Sequence, residues 1–391
     1  MNGESGMEIC FVAHNAYAAL TGGRLDHVGG VERQQAMMAD WLASRGHKVS
    51  MITWGQSGAA KEYHSNVDLH FVCKKSDGVP VIRFIYPRWT SLLKAMNAAD
   101  ADVYYYNLGD LVLGQMVSWA AGKGKASVYS VSSQPKCMRD LRGILTFRER
   151  VLYRYGLRNV HKIIVQTRAQ ADLIRQEYGR EAELLPMPCR DLSADGGLAS
   201  PPKSSSSPSV LWVGRFSAEK RPDWVLAIAA RCRNVHFDLI GQANQGTEYS
   251  RRFLSQASEL KNVTVHGVVQ HHDIAAYYRK AKAVLCTSKF EGFPNVFLEA
   301  WSVGLPTVTT FDPDSIVSQE GIGFVGKSVD DLETKLTRLL SDQTMWKRCS
   351  ERARSYFVRN HEVNHVMPGF EEALRVSIEN IKLNRQAPLK V

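Results

Sequence analysis

Short apolar runs recur along the chain, each closed by small or polar residues, and the stretches between them carry apolar positions at helical spacing. In the first half, 8–12, 49–53, 67–72, 81–86, 102–106, 126–133 and 162–167 read as strands. Helical spacing appears over 31–44 (Val31, Met37, Met38, Trp41, Leu42), over 111–120 and over 169–178. The alternation then restarts. Strands are predicted at 210–213, 236–240, 263–266, 283–286 and 307–309. Helices are expected from Pro222, from a cap near 272–273, from Ser328, over 342–358, and in a last amphipathic stretch over 368–382. Strand and helix in regular alternation predict α/β architecture with parallel sheets, here two doubly wound Rossmann-like domains.

Between the halves, 191–209 is rich in Ser, Gly and Pro and cannot build a core. The expected organisation is therefore an N-terminal domain over 1–190, a linker over 191–209, a C-terminal domain over 210–365 and a final helical segment over 366–391. A length of 391 residues suits two cores better than one. No segment approaches the ~20 consecutive apolar residues of a membrane span, and 7–20 lacks the basic flank of a signal peptide. Seven dispersed cysteines without a Cys-x-x-Cys spacing argue for reduced thiols.

The candidate chemistry is densest over 288–304, Ser-Lys-Phe-Glu-Gly-Phe-Pro-Asn-Val-Phe-Leu-Glu-Ala-Trp-Ser-Val-Gly. It follows a buried-strand pattern and ends in a helix closed by Gly304 and Pro306. A loop after the carboxyl end of a parallel strand faces the ligand crevice. Glu291 sits in that loop and Glu299 about one turn into the helix. Gly292 permits close backbone approach, and the free amides of the helix start attract an anion. Upstream, Gly214-Arg215-Phe216-Ser217-Ala218-Glu219-Lys220 also follows a strand. Arg215 offers a bidentate fork and Lys220 a mobile charge, both suited to a diphosphate.

The Glu-x7-Glu string in its strand-loop-helix context, with Gly-Arg-x4-Lys upstream, resembles family 4 retaining glycosyltransferases with the two-domain GT-B fold. That resemblance implies two domains facing a cleft, with the final helix crossing back to the first. It implies that Glu291 binds donor-sugar hydroxyls and carries the catalytic role, and that Glu299 binds the ribose. The amides of the loop Gly292, Phe293, Pro294 and Asn295, of which Pro294 has no N–H to give, would hold sugar and phosphate oxygens. Arg215 and Lys220 would hold the diphosphate, the backbone near Val269 would meet the base, and Gly30 in the Gly29-Gly30 loop would meet the phosphates. It further implies a UDP- or GDP-linked sugar as co-substrate, a glycan or lipid-linked glycan as acceptor, and no cofactor. Many relatives carry a histidine where Ser132 and Ser133 stand here. A hydroxyl cannot serve as an imidazole base. Those serines, or His14 at the end of the first strand, are the tentative sugar-contacting residues, with a core or capping role for His14 as the other reading.

Two Asp-x-Asp pairs, Asp100/Asp102 and Asp312/Asp314, raise a metal site, but the two cations already supply the charge, and no metal is expected. Another GT-B enzyme (an epimerase or a phosphorylase) and a non-catalytic nucleotide-sugar binder remain as other readings.

The net charge of +10 favours anionic partners. It concentrates over 136–162, where Lys136, Arg139, Arg142, Arg148, Arg150, Arg154, Arg158 and Lys162 face only Asp140 and Glu149. Leu141, Ile144, Leu145, Phe147, Val151, Leu152, Tyr153 and Tyr155 interleave with them. That mixture suits an anionic membrane surface or a core helix with a solvated basic edge. No nucleic-acid motif accompanies the charge. The expected location is the cytoplasm, peripheral at the inner face of the membrane.

Overall fold

The computed structural model describes residues 6–23, 29–55, 61–80, 82–141, 145–194, 197–202, 207–243 and 247–386. Two compact units emerge: Met1–Pro188 with Val366–Val391, and Cys189–His365.

The first unit is built on β1 (Glu8–Val12), β2 (Lys48–Trp54), β3 (Lys61–His64), β4 (Val67–Val72), β5 (Val103–Tyr106), β6 (Ala126–Ser130), β7 (Lys162–Val165) and β8 (Glu183–Leu184). Their order in the sheet is β3-β4-β2-β1-β5-β6-β7-β8. All pairs are parallel except β3-β4. That hairpin turns through Ser65 and Asn66, both left-handed at φ 50° and 62°, the backbone sign a two-residue turn between twisted strands needs. The winding reverses between β1 and β5, so the switch point of the sheet lies at the carboxyl ends of those two strands.

The strand expected over 81–86 does not form. Within its described part, Ile82 and Arg83 are in turns and a π-helical turn, Phe84–Trp89, leads into the helix Thr90–Ala99. Pro87 has no N–H to give a ladder, and β3 already occupies the sheet edge beside β4.

The helix Phe147–Asn159 opens on a capping box: Glu149 N–H donates to Thr146 Oγ1, and Thr146 N–H to Glu149 Oε2. It crosses the helix Val112–Lys123 where glycine meets glycine. A Cβ on Gly114 would lie 2.2 Å from the Leu152 carbonyl oxygen, and one on Gly156 2.5 Å from Leu113 Cγ. Tyr153 and Leu157 are buried there, while Phe147, Val151 and Tyr155 are 74%, 50% and 41% exposed. This basic segment therefore has apolar side chains on two faces. Its Arg142 and Ile144 lie outside the described residues.

The last helix, Val363–Gln386, starts before the expected 368 and carries Pro368 inside it. From Val366 onward it groups with the first unit. Met7 N–H donates to His47 Nδ1 (3.1 Å), so the proton sits on Nε2 and is donated to Glu371 at 2.8 Å. Arg385 donates to the Lys123 carbonyl at 2.7 Å.

The second unit is a parallel sheet of β9 (Ser209–Val213), β10 (His236–Ile240), β11 (Val263–Gly267), β12 (Ala283–Cys286), β13 (Thr307–Thr309) and β14 (Gly323–Val325), ordered β11-β10-β9-β12-β13-β14. Sequence periodicity did not find β14 or the helix Glu248–Ser258. Residues 195–196 and 203–206 of the serine-rich stretch lie outside the description. Its described part is fastened to this unit. Arg354 forks onto Asp191 at 2.8 and 2.6 Å, Arg279 donates to the Leu192 carbonyl, and Ala199 N–H donates to the Val303 carbonyl. All seven cysteines are free thiols. No described helix is long and apolar enough to cross a membrane.

Candidate functional site

In the second unit the loop after β9 and the loop after β12 are tied together. Trp212 Nε1 donates to Thr287 Oγ1 at 3.1 Å, and Thr287 Oγ1 donates to the Lys220 carbonyl at 2.6 Å. Lys289 N–H donates to the Glu219 carbonyl at 2.9 Å. Arg221, left-handed at φ 47°, sends Nε to the Thr287 carbonyl (2.6 Å) and Nη2 to the Ser288 carbonyl (3.2 Å), with its guanidinium 4.0 Å over Trp224. Burial lowers the Arg221 pKa, and Asp223 partly restores it. Sequence reasoning passed over Arg221, Thr287 and Trp212. The only available signal was an arginine directly before the helix-opening Pro222.

This fastening sets the charged groups. Lys220 Nζ donates to Glu291 Oε1, and both side chains are largely buried, 22% and 16% exposed. Arg215 is not brought to either glutamate. It pairs with Glu219, four residues on, at 2.8 Å and is 65% exposed. An exposed i,i+4 pair is worth only ~0.3–0.5 kcal/mol, so little holds the guanidinium there. Glu299 is 9% exposed and accepts from Tyr278 OH at 2.6 Å. Tyr278 comes from the helix His271–Lys280, another contribution that spacing did not reveal.

Beyond Glu291, Gly292, Phe293 and Pro294 are buried, and Asn295 begins the helix Asn295–Ser302. That helix has no side-chain cap; Phe297 N–H donates to the Pro294 carbonyl at 3.0 Å, and the amides of Asn295 and Val296 stay available to an acceptor group. Phe293 packs on Trp301 and His361 with ring centroids 6.0 and 4.8 Å away, which fixes the loop from beneath. At the neighbouring strand ends the backbones close up. A Cβ on Gly241 would sit 1.7 Å from the Gly214 carbonyl oxygen, and Gly241 N–H donates to the Gly267 carbonyl. Val269 follows two residues beyond that carbonyl and is half-buried.

The remaining candidates are in the first unit. Gly30 begins the helix Gly30–Ser44, whose cap residue Gly29 lies under the Glu32 carboxylate: a Cβ there would be 2.6 Å from Glu32 Oε2. Ser132 and Ser133 lie just past β6, which ends at Ser130 rather than at 133 as expected. His14 follows β1, is 7% exposed and packs on Trp54 at 4.6 Å. Burial lowers its pKa to about 4 against the pull of Asp110, and Arg88 adds to the lowering. The ring is therefore neutral near pH 7.

The aspartates of the two Asp-x-Asp pairs have these surroundings. Asp100 pairs with Lys125, and Asp102 accepts from Glu8 N–H. Asp312 accepts from Val317 N–H and Ser318, and Asp314 is in a left-handed turn.

A family model described as "Glycosyl transferases group 1" matches residues 199–356, and one described as "Glycosyl transferase 4-like domain" matches 29–190. The chain belongs to the group 1 glycosyl transferases. Among solved structures it is similar to the sucrose-phosphate synthase of Thermosynechococcus elongatus, with a TM-score of 0.78 at 17% identity, covering 95% of this chain and 99% of that one. It is also similar to Anabaena HepE in complex with UDP and glucose, with a TM-score of 0.72 at 16% identity, covering 94% and 99%. At these identities the likeness establishes the GT-B fold. Among curated proteins, the Vi polysaccharide biosynthesis protein VipC/TviE of Salmonella typhi is 30% identical over 102 residues, 25% of this chain and 17% of that protein. The chain spans less than half the length of the curated relatives it matches.

Proposed function

We propose that this group 1 glycosyl transferase moves a sugar from a UDP- or GDP-linked donor to a glycan or lipid-linked glycan in polysaccharide biosynthesis, with retention and without a metal. The observation that carries the reading is the contact of Lys220 with Glu291, a cation and a carboxylate delivered to one place by loops that follow adjacent parallel strands, β9 and β12. A diphosphate leaving group needs positive charge where the anomeric bond breaks. Lys220 supplies one such charge and the weakly held Arg215 a second, so the chemistry asks for no ion. Glu291 meets the donor-sugar hydroxyls. Glu299, aimed by Tyr278, meets the ribose. The amides of Gly292, Phe293 and Asn295 receive phosphate and sugar oxygens, and Val269 lies toward the base. The departing phosphate takes the acceptor proton in a same-face displacement.

The relatives agree with this class: one is named as a polysaccharide biosynthesis protein, and one was solved with UDP and glucose. A thermal-shift panel of nucleotide sugars tests the reading. One base and sugar should raise the melting temperature above all others; no shift with any of them overturns it.

The exposed face of Phe147–Asn159 supports peripheral attachment at the cytoplasmic side of a membrane. Phe147, Val151 and Tyr155 lie outward beside exposed Arg148 and Arg158. An open groove of about 480 Å³ beside them is lined by Arg139, Phe147, Arg150, Val151 and Arg154 among others. Outward apolar groups interleaved with cations match an anionic lipid surface.

A further inference from the structure

The switch point of the first sheet carries polar groups that the fold leaves unmatched. Asp110, just past β5, accepts from Tyr106 OH (2.6 Å) and from Val112 N–H (2.9 Å), both on Oδ1. Its Oδ2 has no partner among the described residues. The stem of Lys136, from the turn after β6, lies along Gly109: a Cβ there would come within 2.6 Å of Lys136 Cδ. Lys136 is half-buried, and its pKa is lowered by burial despite the opposing pull of Asp110. The lysine feels Asp110 but forms no ion pair with it. Asn107, 2% exposed, has an unpartnered Oδ1. His14 is 7% exposed, and its ring has no side-chain hydrogen bond among the described residues. The Lys136 ammonium meets the Tyr153 ring, 5.9 Å from its centroid, but no carboxylate among the described residues. An unmatched buried amide and a desolvated lysine without a counter-ion each cost free energy, and a ligand offering both donors and acceptors would recover it.

We propose that Asp110 and Lys136, with Asn107 and His14 beside them, form the subsite that holds the accepting glycan, by bridging two neighbouring hydroxyls of a neutral sugar. This rests on the transferase reading above. One hydroxyl donates to Asp110 Oδ2 and the other accepts from Lys136 Nζ. The neutral imidazole of His14 and the amide of Asn107 can each donate or accept. The unpaired carboxylate oxygen repels an anionic group, which selects a neutral sugar over a uronate or a phosphate. Tyr106, saturating Oδ1, is a positioning residue: it turns the other oxygen outward.

Saturation-transfer NMR on the full chain tests this, with the methyl glycosides of glucose, mannose, galactose and glucuronic acid as probes. At least one neutral glycoside should show saturable binding, with the glucuronide weaker. Asp110→Asn and Lys136→Met should each weaken that binding roughly tenfold or more, the loss of one charge-assisted hydrogen bond. Gly109→Val, which displaces the Lys136 stem without touching either charge, should do the same. Circular dichroism melting checks that the variants are folded. Silent neutral glycosides, binding indifferent to Asp110 and Lys136, or tighter binding of the glucuronide would each overturn the proposal. The nucleotide-sugar thermal shift on the unaltered chain reads the parent claim separately. A donor shift without glycoside binding sinks this subsite alone; glycoside binding without a donor shift sinks the transferase reading and leaves a sugar site.

Discussion

Lys220 and Glu291, 71 residues apart in the chain, meet in a hydrogen-bonded ion pair that neither loop could form alone. Arg221 and Thr287 lock the two loops together through backbone carbonyls. If Glu291 serves the donor sugar, Glu291→Gln keeps the shape and removes the charge. Turnover should fall roughly a hundredfold or more, while nucleotide binding stays measurable by calorimetry. Near-normal turnover would remove Glu291 from the mechanism.

Arg221 makes the fastening itself testable. Arg221→Met keeps the stem over Trp224 but leaves the Thr287 carbonyl without its donor, while the Ser288 carbonyl keeps only Thr310 Oγ1 at 2.8 Å. The second unit should lose about 1–3 kcal/mol of stability, read from urea midpoints, and nucleotide-sugar affinity should fall with it. An unchanged midpoint would show that other contacts hold the loops.

His14 gives a pH signature. Its folded pKa of about 4 lies below the ordinary histidine value. Between those two values the unfolded chain binds the extra proton, so stability falls as pH drops from about 6.5 toward 4. The full contribution is on the order of 3 kcal/mol. His14→Gln should flatten that part of the melting-temperature profile. An identical slope in both proteins would assign the acid sensitivity elsewhere.

The close crossing of the helices Val112–Lys123 and Phe147–Asn159 has no room for a side chain at Gly114. Gly114→Val should destabilise the first unit by about 1–3 kcal/mol through overpacking. Co-sedimentation with vesicles tests the outer face of the same helix pair. Phe147→Ser with Arg148→Glu should abolish binding to anionic vesicles, and neutral vesicles should bind neither form. Equal pelleting of both forms would detach the membrane reading from this helix.

Much of this was legible because short buried strands and amphipathic helices leave periodic traces. β12, the loop at Glu291 and the helix carrying Glu299 are each encoded in adjacent residues. Tertiary pairings leave no such trace. Arg215 reads as a ligand for a diphosphate, yet it lies on Glu219 because an i,i+4 partner is always within reach. Tyr278 meets Glu299 through helix packing, and Arg354 captures Asp191 across 163 residues. Composition alone marked 191–209 as linker, because its few apolar residues have no regular spacing among the serines, glycines and prolines to declare a docking site. Asp110 was passed over and Lys136 was counted only as part of the basic segment, because only the sheet order brings β5 and β6 side by side.

The central claim is that the Lys220–Glu291 loop pair grips the diphosphate of a nucleotide sugar. Isothermal titration of UDP- and GDP-linked sugars into the unaltered chain and into Lys220→Ala tests it most directly. The account predicts saturable one-site binding of one nucleotide class, weakened roughly ten- to a hundredfold by the substitution. Absence of binding in the unaltered chain, or equal affinity in both proteins, would contradict it.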